Sequence, residues 1–447
     1  MSAPIYENLI NYHNQNRISF AMPGHKGTRG LREGLLECDV TELPKTEDLH
    51  AMTKGVEESN RLLAELYGSD KSYIMTSGST GCIQVMLSSV LKRGDTLLCT
   101  SDCHMSVINT CAIMGYKIKI APKVINAEFN IPSGEAELEI DDSIKAVLVT
   151  SPNYYGITCD IEGLAKICHE KGIPLLVDEA HGAHFVVSDM LPESAIELGA
   201  DAVCHSAHKT LNALTGAAYL HVKGSLIDKK RIERAISMFE TSSPSYAIAA
   251  SADTAREDIE SEKKWEAIIS LVRCFKFNIQ YKTKIKPLIN NDFSRLVLSF
   301  REYETTGFEV LKLLAEEYNI DIEMADMENI VMIVTPPNTN EEIDALFDAL
   351  VKICEGLKER KERNAYVMPP VPDLINPEEA FFKESESVSL DLAKDKVSAV
   401  TVTVYPPGVP VIYQGATISE EMLEYIENIK NAGGKICGMD NGIEVIK

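Results

Sequence analysis

The chain has 447 residues, 45% of them hydrophobic, enough to bury the core of one large α/β domain with an appendage or of two domains. A formal net charge of −23, a pI of about 4.9 and an aromatic content of 6% argue against nucleic acid or an anionic membrane as partner. The 11 cysteines, an odd number with no CxxC spacing, fit reduced core thiols in a cytoplasmic protein better than a disulfide framework or a zinc site, so no metal is expected. The N-terminal stretch has no apolar signal core, and no segment reaches transmembrane length.

Residues 5–14 read as a short helix. It stops before Pro23-Gly24-His25-Lys26-Gly27, a turn that belongs either to an active-site border or to a solvated surface. Residues 41–50 are polar and broken by Pro44. Over 55–67, Val56, Leu62, Leu63 and Leu66 recur at helical spacing, and Gly68 ends the helix. A brief apolar run at 73–75 leads into Ser77-Gly78-Ser79-Thr80-Gly81 and a helix reaching about residue 92. A glycine-containing turn that opens a helix gathers free N–H groups and the positive end of the dipole at one spot. The Ser79 and Thr80 hydroxyls add donors there, which suits a phosphate monoester or an ordinary helix cap.

A strand at 96–99 leads to Ser101-Asp102-Cys103-His104 and a helix over 105–114. His104 therefore stands after a strand, where an imidazole can stack on a ligand ring or hydrogen-bond structurally. Strands follow at 117–120 and 144–150, then a helix over 161–170 capped by Asp160. The apolar run at 174–177 ends in Asp178-Glu179-Ala180-His181, and the run at 202–204 ends in His205-Ser206-Ala207-His208-Lys209. Short apolar runs between helical spans read as central strands of a parallel sheet, and the alternation continues through 218–222. Ligands of open α/β sheets sit beyond the carboxyl ends of strands, so Asp178 and Lys209 are expected over one crevice. A carboxylate for a pyridinium nitrogen and a lysine for a Schiff base are what pyridoxal phosphate needs.

The basic run at 223–234 reads as a solvated helix face. From about residue 290, strands at 295–300, 320–324 and 330–335 mix with amphipathic helices at 307–317 and 341–357, the pattern of a smaller α+β unit. The charged run at 358–363 is solvated, and the stretch at 367–377, with four prolines, is an extended loop. A strand at 397–404, a proline turn at 405–410 and a helix at 420–432 close the chain. The expected division is an N-terminal arm (1–50), a large cofactor-binding domain (51–287) and a small C-terminal α+β domain (288–447).

The motifs PGHKG (23–27), TELPKTEDLH (41–50), TSGSTG (76–81), SDCHMS (101–106), DEAHG (178–182), SAHK (206–209), TSSPSY (241–246), EMADMENIVMIVTP (323–336) and YPPGVP (405–410) follow one another nearly end to end. Together they resemble the ornithine/lysine/arginine decarboxylase family of fold-type-I pyridoxal-phosphate enzymes. The resemblance implies an aspartate-aminotransferase-like large domain with a mainly parallel sheet, and pyridoxal 5'-phosphate as cofactor. It implies Lys209 as the Schiff-base residue, Asp178 as partner of the pyridine nitrogen and His104 stacked on the ring. Ala180 would lie on the opposite face, with Ser79, Thr80, Ser206 and His208 at the phosphate. His181 either bonds the phenolic oxygen or fixes the turn. Lys209 or His104 would return a proton to Cα after CO₂ leaves.

The implied activity is decarboxylation of a basic amino acid: arginine to agmatine first, lysine to cadaverine or ornithine to putrescine next. Another fold-type-I reaction, aminotransfer or carbon–carbon cleavage, is the alternative, and a catalytically silent cofactor-binding homologue is a third reading. A homodimer or dimer-based oligomer of a short form, without a receiver-like N-terminal domain, is also implied. The family usually shows PGE soon after its PPG; here Tyr413-Gln414-Gly415-Ala416 follow instead, which bears on substrate preference. A cationic substrate tail in a partly dry site needs a carboxylate. Glu323 is the first candidate, followed by Asp326 and Asp48. Because a guanidinium takes a carboxylate bidentately, arginine ranks ahead of lysine.

Overall fold

The computed structural model describes residues 4–27, 29–134, 138–259, 262–361, 368–372, 374–405, 408–440 and 442–447. A seven-stranded sheet forms its centre. In chain order the strands are β1 (Lys71–Met75), β2 (Thr96–Cys99), β3 (Lys117–Ile120), β4 (Ile144–Thr150), β5 (Leu175–Asp178), β6 (Ala202–His205) and β7 (Ala218–Val222). Across the sheet they run β1-β7-β6-β5-β4-β2-β3. Strands β2 to β6 pair in parallel, while β7 is antiparallel to both β6 and β1. The parallel series expected through 218–222 thus stops at β6. The chain between His205 and Ala218 is spent on the short helix Ala207–Thr210, which leaves no crossover helix to carry it back for a parallel return.

The central strands are apolar on both faces because helices cover both. Leu175, Val177 and Val203 face a core that includes Trp265 and Ile269, whereas Leu176, Ala202 and Cys204 face one that includes Met86 and Val107. The period-2 alternation of strand side chains places Asp178 on the Leu176 face, beside Cys204.

A second sheet is antiparallel throughout. Its strands are β8 (Lys286–Pro287), β9 (Arg295–Ser299), β10 (Met324–Ala325) and β11 (Asn329–Ile333), in the order β8-β9-β11-β10. Helices Gly307–Glu317 and Asn340–Gly356, each opened by a capping box, help enclose its core of Leu296, Leu298, Leu314, Met332 and Leu346. The strand Ile18–Phe20, which three residues of sequence do not announce, pairs in parallel with Ile320–Ile322 and ties the N-terminal segment to this unit.

A third lobe has its own core of Val402, Ile412, Ile418, Met422, Ile426 and Val445. The strand expected over 397–404 is confined to Val402–Val404. Pro410, expected in a turn, lies in the strand Val409–Ile412, an edge strand that tolerates its missing N–H. Pro406 and Pro407 of that turn lie outside the described residues, as do Glu362, Arg363, Val367 and Asp373 of the preceding charged and proline-rich stretches. Among the described residues no helix is long and apolar enough to cross a membrane.

Candidate active site

Asp178 ends β5 and is 4% exposed. Its Oδ1 accepts from the Ala180 amide at 3.1 Å and from the Cys204 thiol at 3.5 Å. Burial, with Asp178 alongside, pushes the Cys204 thiol well up, so it stays a protonated donor. These two bonds aim the carboxylate. Ala180 sits just beyond it, and its carbonyl accepts from the Ser206 amide, locking the ends of β5 and β6 together.

Lys209 lies one turn beyond β6. Its Nζ is 2.9 Å from His181 Nε2 and 5.4 Å from the centre of the Tyr154 ring. Burial lowers the Lys209 pKa, Asp178 and Glu323 oppose the shift, and Arg295 adds to it. His181 stands edge-on to Tyr154 at 4.4 Å between ring centres, and its Nδ1 is bonded by Nη2 of Arg295. Burial first, then the neighbouring cations, hold His181 well below the ordinary imidazole range.

His104 caps the helix Met105–Met114, with Nδ1 at 2.8 Å from Ser106 Oγ. Burial lowers its pKa too, against the pull of Asp178. Gly408 of the third lobe closes over this ring. A Cβ there would stand 3.2 Å from His104 Nε2, the backbone φ is +81°, and the Gly408 carbonyl accepts from the Met105 amide at 3.2 Å.

Ser79 is half-buried and Thr80 exposed in the first turn of the helix Gly78–Val90, where Gly78 has φ +70°. Glu240 steadies this turn from behind, accepting from the Thr76 amide and hydroxyl, both at 2.9 Å, and from the Ser77 hydroxyl at 3.1 Å. Ser206 Oγ is buried and has no hydrogen-bond partner among the described residues. His208 donates through Nδ1 to the Ala217 carbonyl at 3.0 Å, and burial pushes its pKa down to about 4, so it is neutral.

The PGHKG turn is packed inward. The Gly24 amide donates to the His208 carbonyl at 2.9 Å, and the Thr335 hydroxyl donates to the Gly24 carbonyl at 2.7 Å. Lys26, read from sequence as either bordering the site or solvated, is 3% exposed; burial carries its pKa down to about 7 against the attraction of Glu323. A Cβ on Gly24 would meet the Leu211 carbonyl oxygen at 2.7 Å. Gly24→Ala is therefore expected to cost about 1–3 kcal/mol of local packing. It should lower activity and expose Lys26 to trypsin. Cleavage at the wild-type rate would show that the loop tolerates the methyl group.

The three carboxylates considered for the substrate tail part company here. Glu323 is 7% exposed, accepts from the Met22 amide at 2.8 Å, and its charge acts on Lys26, Lys209 and Arg295. Asp326 is taken up by its own hairpin, accepting from the Glu328 and Asn329 amides at 2.8 and 2.7 Å and from Tyr155 Oη at 2.8 Å. Asp48 closes a turn, accepting from the His50 and Ala51 amides, both at 2.9 Å.

Two groups at the centre were not singled out from sequence, Tyr154 and Arg295. Tyr154 had a signal, an aromatic pair directly after strand β4 at the ligand end of the sheet. Arg295 had a fainter one, a lone cation heading an apolar strand. Beside Tyr154 a chamber of about 90 Å³ is lined by Asp102, Lys123, Tyr155 and Tyr425 among others. Burial raises Asp102 to about 6 and lowers Lys123 to about 8.

A mainly parallel sheet that brings an aspartate and a lysine to the ends of adjacent strands, with smaller units closing over them, is the fold-type-I architecture of pyridoxal-phosphate enzymes. Residues 3–299 match the major domain of Orn/Lys/Arg decarboxylases and residues 361–447 match their C-terminal domain. The chain belongs to the ornithine/lysine/arginine decarboxylase family. It is 31% identical to an arginine decarboxylase of Bacillus anthracis over 98% of this chain and 95% of that one. It is 30% identical to an arginine decarboxylase of Bacillus subtilis over 99% and 98%. The constitutive lysine decarboxylase of Escherichia coli shares the fold, with a TM-score of 0.77 at 17% identity over 100% of this chain and 82% of that one.

Proposed function

We propose that the protein is a pyridoxal-phosphate-dependent decarboxylase of a basic amino acid, arginine ahead of lysine and ornithine. The observation that carries this is the placement of Lys209 and Asp178 beyond adjacent strands, with Glu323 close enough for its charge to act on Lys209. The surroundings fit the cofactor. Ser206 offers a buried hydroxyl without a partner among the described residues, and Gly78 opens a helix N-terminus. Ala180, with no side chain beyond Cβ, leaves a flat floor. Ser79, Thr80 and Ser206 would hold the phosphate, and Lys209 the aldehyde carbon. When bound, the group supplies an electron sink for the pair released as the carboxylate leaves Cα.

The chain's own groups do the rest. Asp178, aimed by Ala180 and Cys204, would keep a proton on the pyridine nitrogen. His104, its pKa lowered by burial, would offer a neutral face to the ring. Lys209 Nζ, or His104, would hold the proton that returns to Cα. Glu323 carries the charge that meets the substrate's distal cation, and the curated relatives named arginine decarboxylase favour a guanidinium. We place the protein in the cytoplasm, where its free cysteines stay reduced. We also read it as a homodimer, because Leu36, Val40 and Leu43 expose apolar surface on the N-terminal arm. We divide the chain into 1–50, 51–287 and 288–447; the third unit has one core of its own and shares a second with Phe20 and the helix Glu262–Lys282.

Incubation with arginine, lysine and ornithine should yield CO₂ and the matching amine, arginine fastest. A keto acid instead would indicate aminotransfer, and turnover confined to neutral or acidic amino acids would remove the substrate class. Glu323→Gln is expected to raise KM for the basic substrate by about tenfold or more while cofactor occupancy holds, the loss of one buried charge pair being worth more than 1.4 kcal/mol. Unchanged kinetics on every basic amino acid would take Glu323 out of the site.

A further inference from the structure

Arg295 opens β9 and is wholly buried, with Asp292 and Glu323 as its counter-charges. Its course is fixed. The Arg295 carbonyl accepts from Asn290 Nδ2 at 3.0 Å, and the same amide group donates to the Tyr155 carbonyl at 2.8 Å. A Cβ on Gly156 would meet the Arg295 Cβ at 2.8 Å, so the chain at Gly156 makes room for the arm. The guanidinium ends on His181 Nδ1, and the other ring nitrogen, Nε2, lies 2.9 Å from Lys209 Nζ.

The valences along this line leave one assignment. A guanidinium has N–H donors and no acceptor, so His181 Nδ1 must accept. A neutral imidazole that accepts at Nδ1 carries its hydrogen on Nε2. That N–H points at Nζ, and only an amine with a free lone pair can receive it. An ammonium at Lys209 would make both ring nitrogens acceptors at once, which an imidazole cannot be. Tyr154, edge-on to the ring, keeps it from turning away.

We propose that Arg295 is a positioning residue: by occupying Nδ1 it fixes His181 as the Nε2–H tautomer, which donates to the lone pair of Lys209 Nζ and holds that amine free and aimed. The proposal rests on the decarboxylase reading for its use, since a free amine is what Lys209 must offer, but the tautomer itself does not depend on which amino acid is turned over. Burial of Lys209 and of His181 works in the same direction. The other groups facing the pair are Asp178, Glu323 and Cys204 around Lys209, and His104 and His208 around His181.

The test is competitive labelling of Lys209 by trace acetic anhydride in the full, cofactor-free chain, followed by mass spectrometry across pH. It needs neither cofactor nor substrate, so a failure of the decarboxylase reading shows up separately, as absent amine production. The wild-type midpoint should lie well below that of an ordinary lysine. Arg295→Met should move it up by about one pH unit or more, a tenfold loss of labelling at neutral pH, and Arg295→Lys should restore part of the shift. Arg295 also acts on Lys209 through its charge, so the decisive comparison is a double-mutant cycle. In a His181→Gln background, Arg295→Met should shift the midpoint much less than in the wild type. An equal shift in both backgrounds, or none in either, overturns the proposal. Should Arg295→Met not fold, His181→Gln alone carries the test, and a midpoint equal to wild type overturns it.

Discussion

Lys209→Ala should leave no borohydride-reducible adduct between the chain and pyridoxal phosphate, and turnover should fall by on the order of a thousandfold or more, because a positioned amine turns a bimolecular encounter into a unimolecular one. The variant should still fold, since the only hydrogen bond of Nζ among the described residues is to His181, and the half-buried side chain faces the crevice. The backbone bonds of its helix, such as the Lys209 amide to the Ser206 carbonyl at 3.0 Å, do not need the side chain. Lys26 is the competitor to watch. It too is buried with a lowered pKa near Glu323, but its Nζ is turned to the Ala21 carbonyl. Peptide mapping of the reduced protein decides between them, and an adduct on Lys26 in the alanine variant would undo the assignment.

The second large effect is at Asp178. Asn at this position can keep Oδ1 accepting from the Ala180 amide and the Cys204 thiol, so the ends of β5 and β6 should hold their shape. What it loses is the negative charge proposed to keep a proton on the pyridine nitrogen. A charge-assisted hydrogen bond is worth about 1.5–3 kcal/mol in stability. Its absence while negative charge develops at Cα should cost about a hundredfold or more in kcat. Cofactor affinity should change much less, since Ser79, Thr80 and Ser206 lie apart from this contact. Equilibrium dialysis of the cofactor alongside kcat separates the two effects, and near wild-type turnover would sink the role.

The sequence was most informative where burial is complete. The strands β5 and β6 are apolar up to their last residues, Asp178 and His205, and no competing reading of such runs places their carboxyl ends elsewhere. The helices Met105–Met114, Ile161–Glu170 and Gly307–Glu317 stop where a cap or a change of period says they must. Strand direction is another matter. A five-residue apolar run such as Ala218–Val222 looks the same running either way, and only the short connection before it sets its sense. Glu323 ranks ahead of Asp326 in the sequence only by its place after a strand-like run. What the sequence does not show is that Tyr155, 171 positions away from Asp326, joins the local Glu328 and Asn329 amides in taking that carboxylate up. Arg295 escaped notice for the same reason: its partner is His181, 114 positions earlier. Pairings at that separation leave no periodic trace.

The site draws on more than one sheet. Asp178 and Lys209 stand at the ends of the seven-stranded sheet, while Arg295 heads a strand of the four-stranded one and Glu323 immediately precedes another. If Glu323 meets the substrate's distal cation as proposed, the reacting pair and the group that chooses the amino acid stand on different sheets. Arg295 joins the two, since it belongs to the four-stranded sheet yet ends on His181 beside Lys209. A lineage that varies Glu323 and its neighbours while holding Arg295 could then diversify its appetite without reinventing its chemistry.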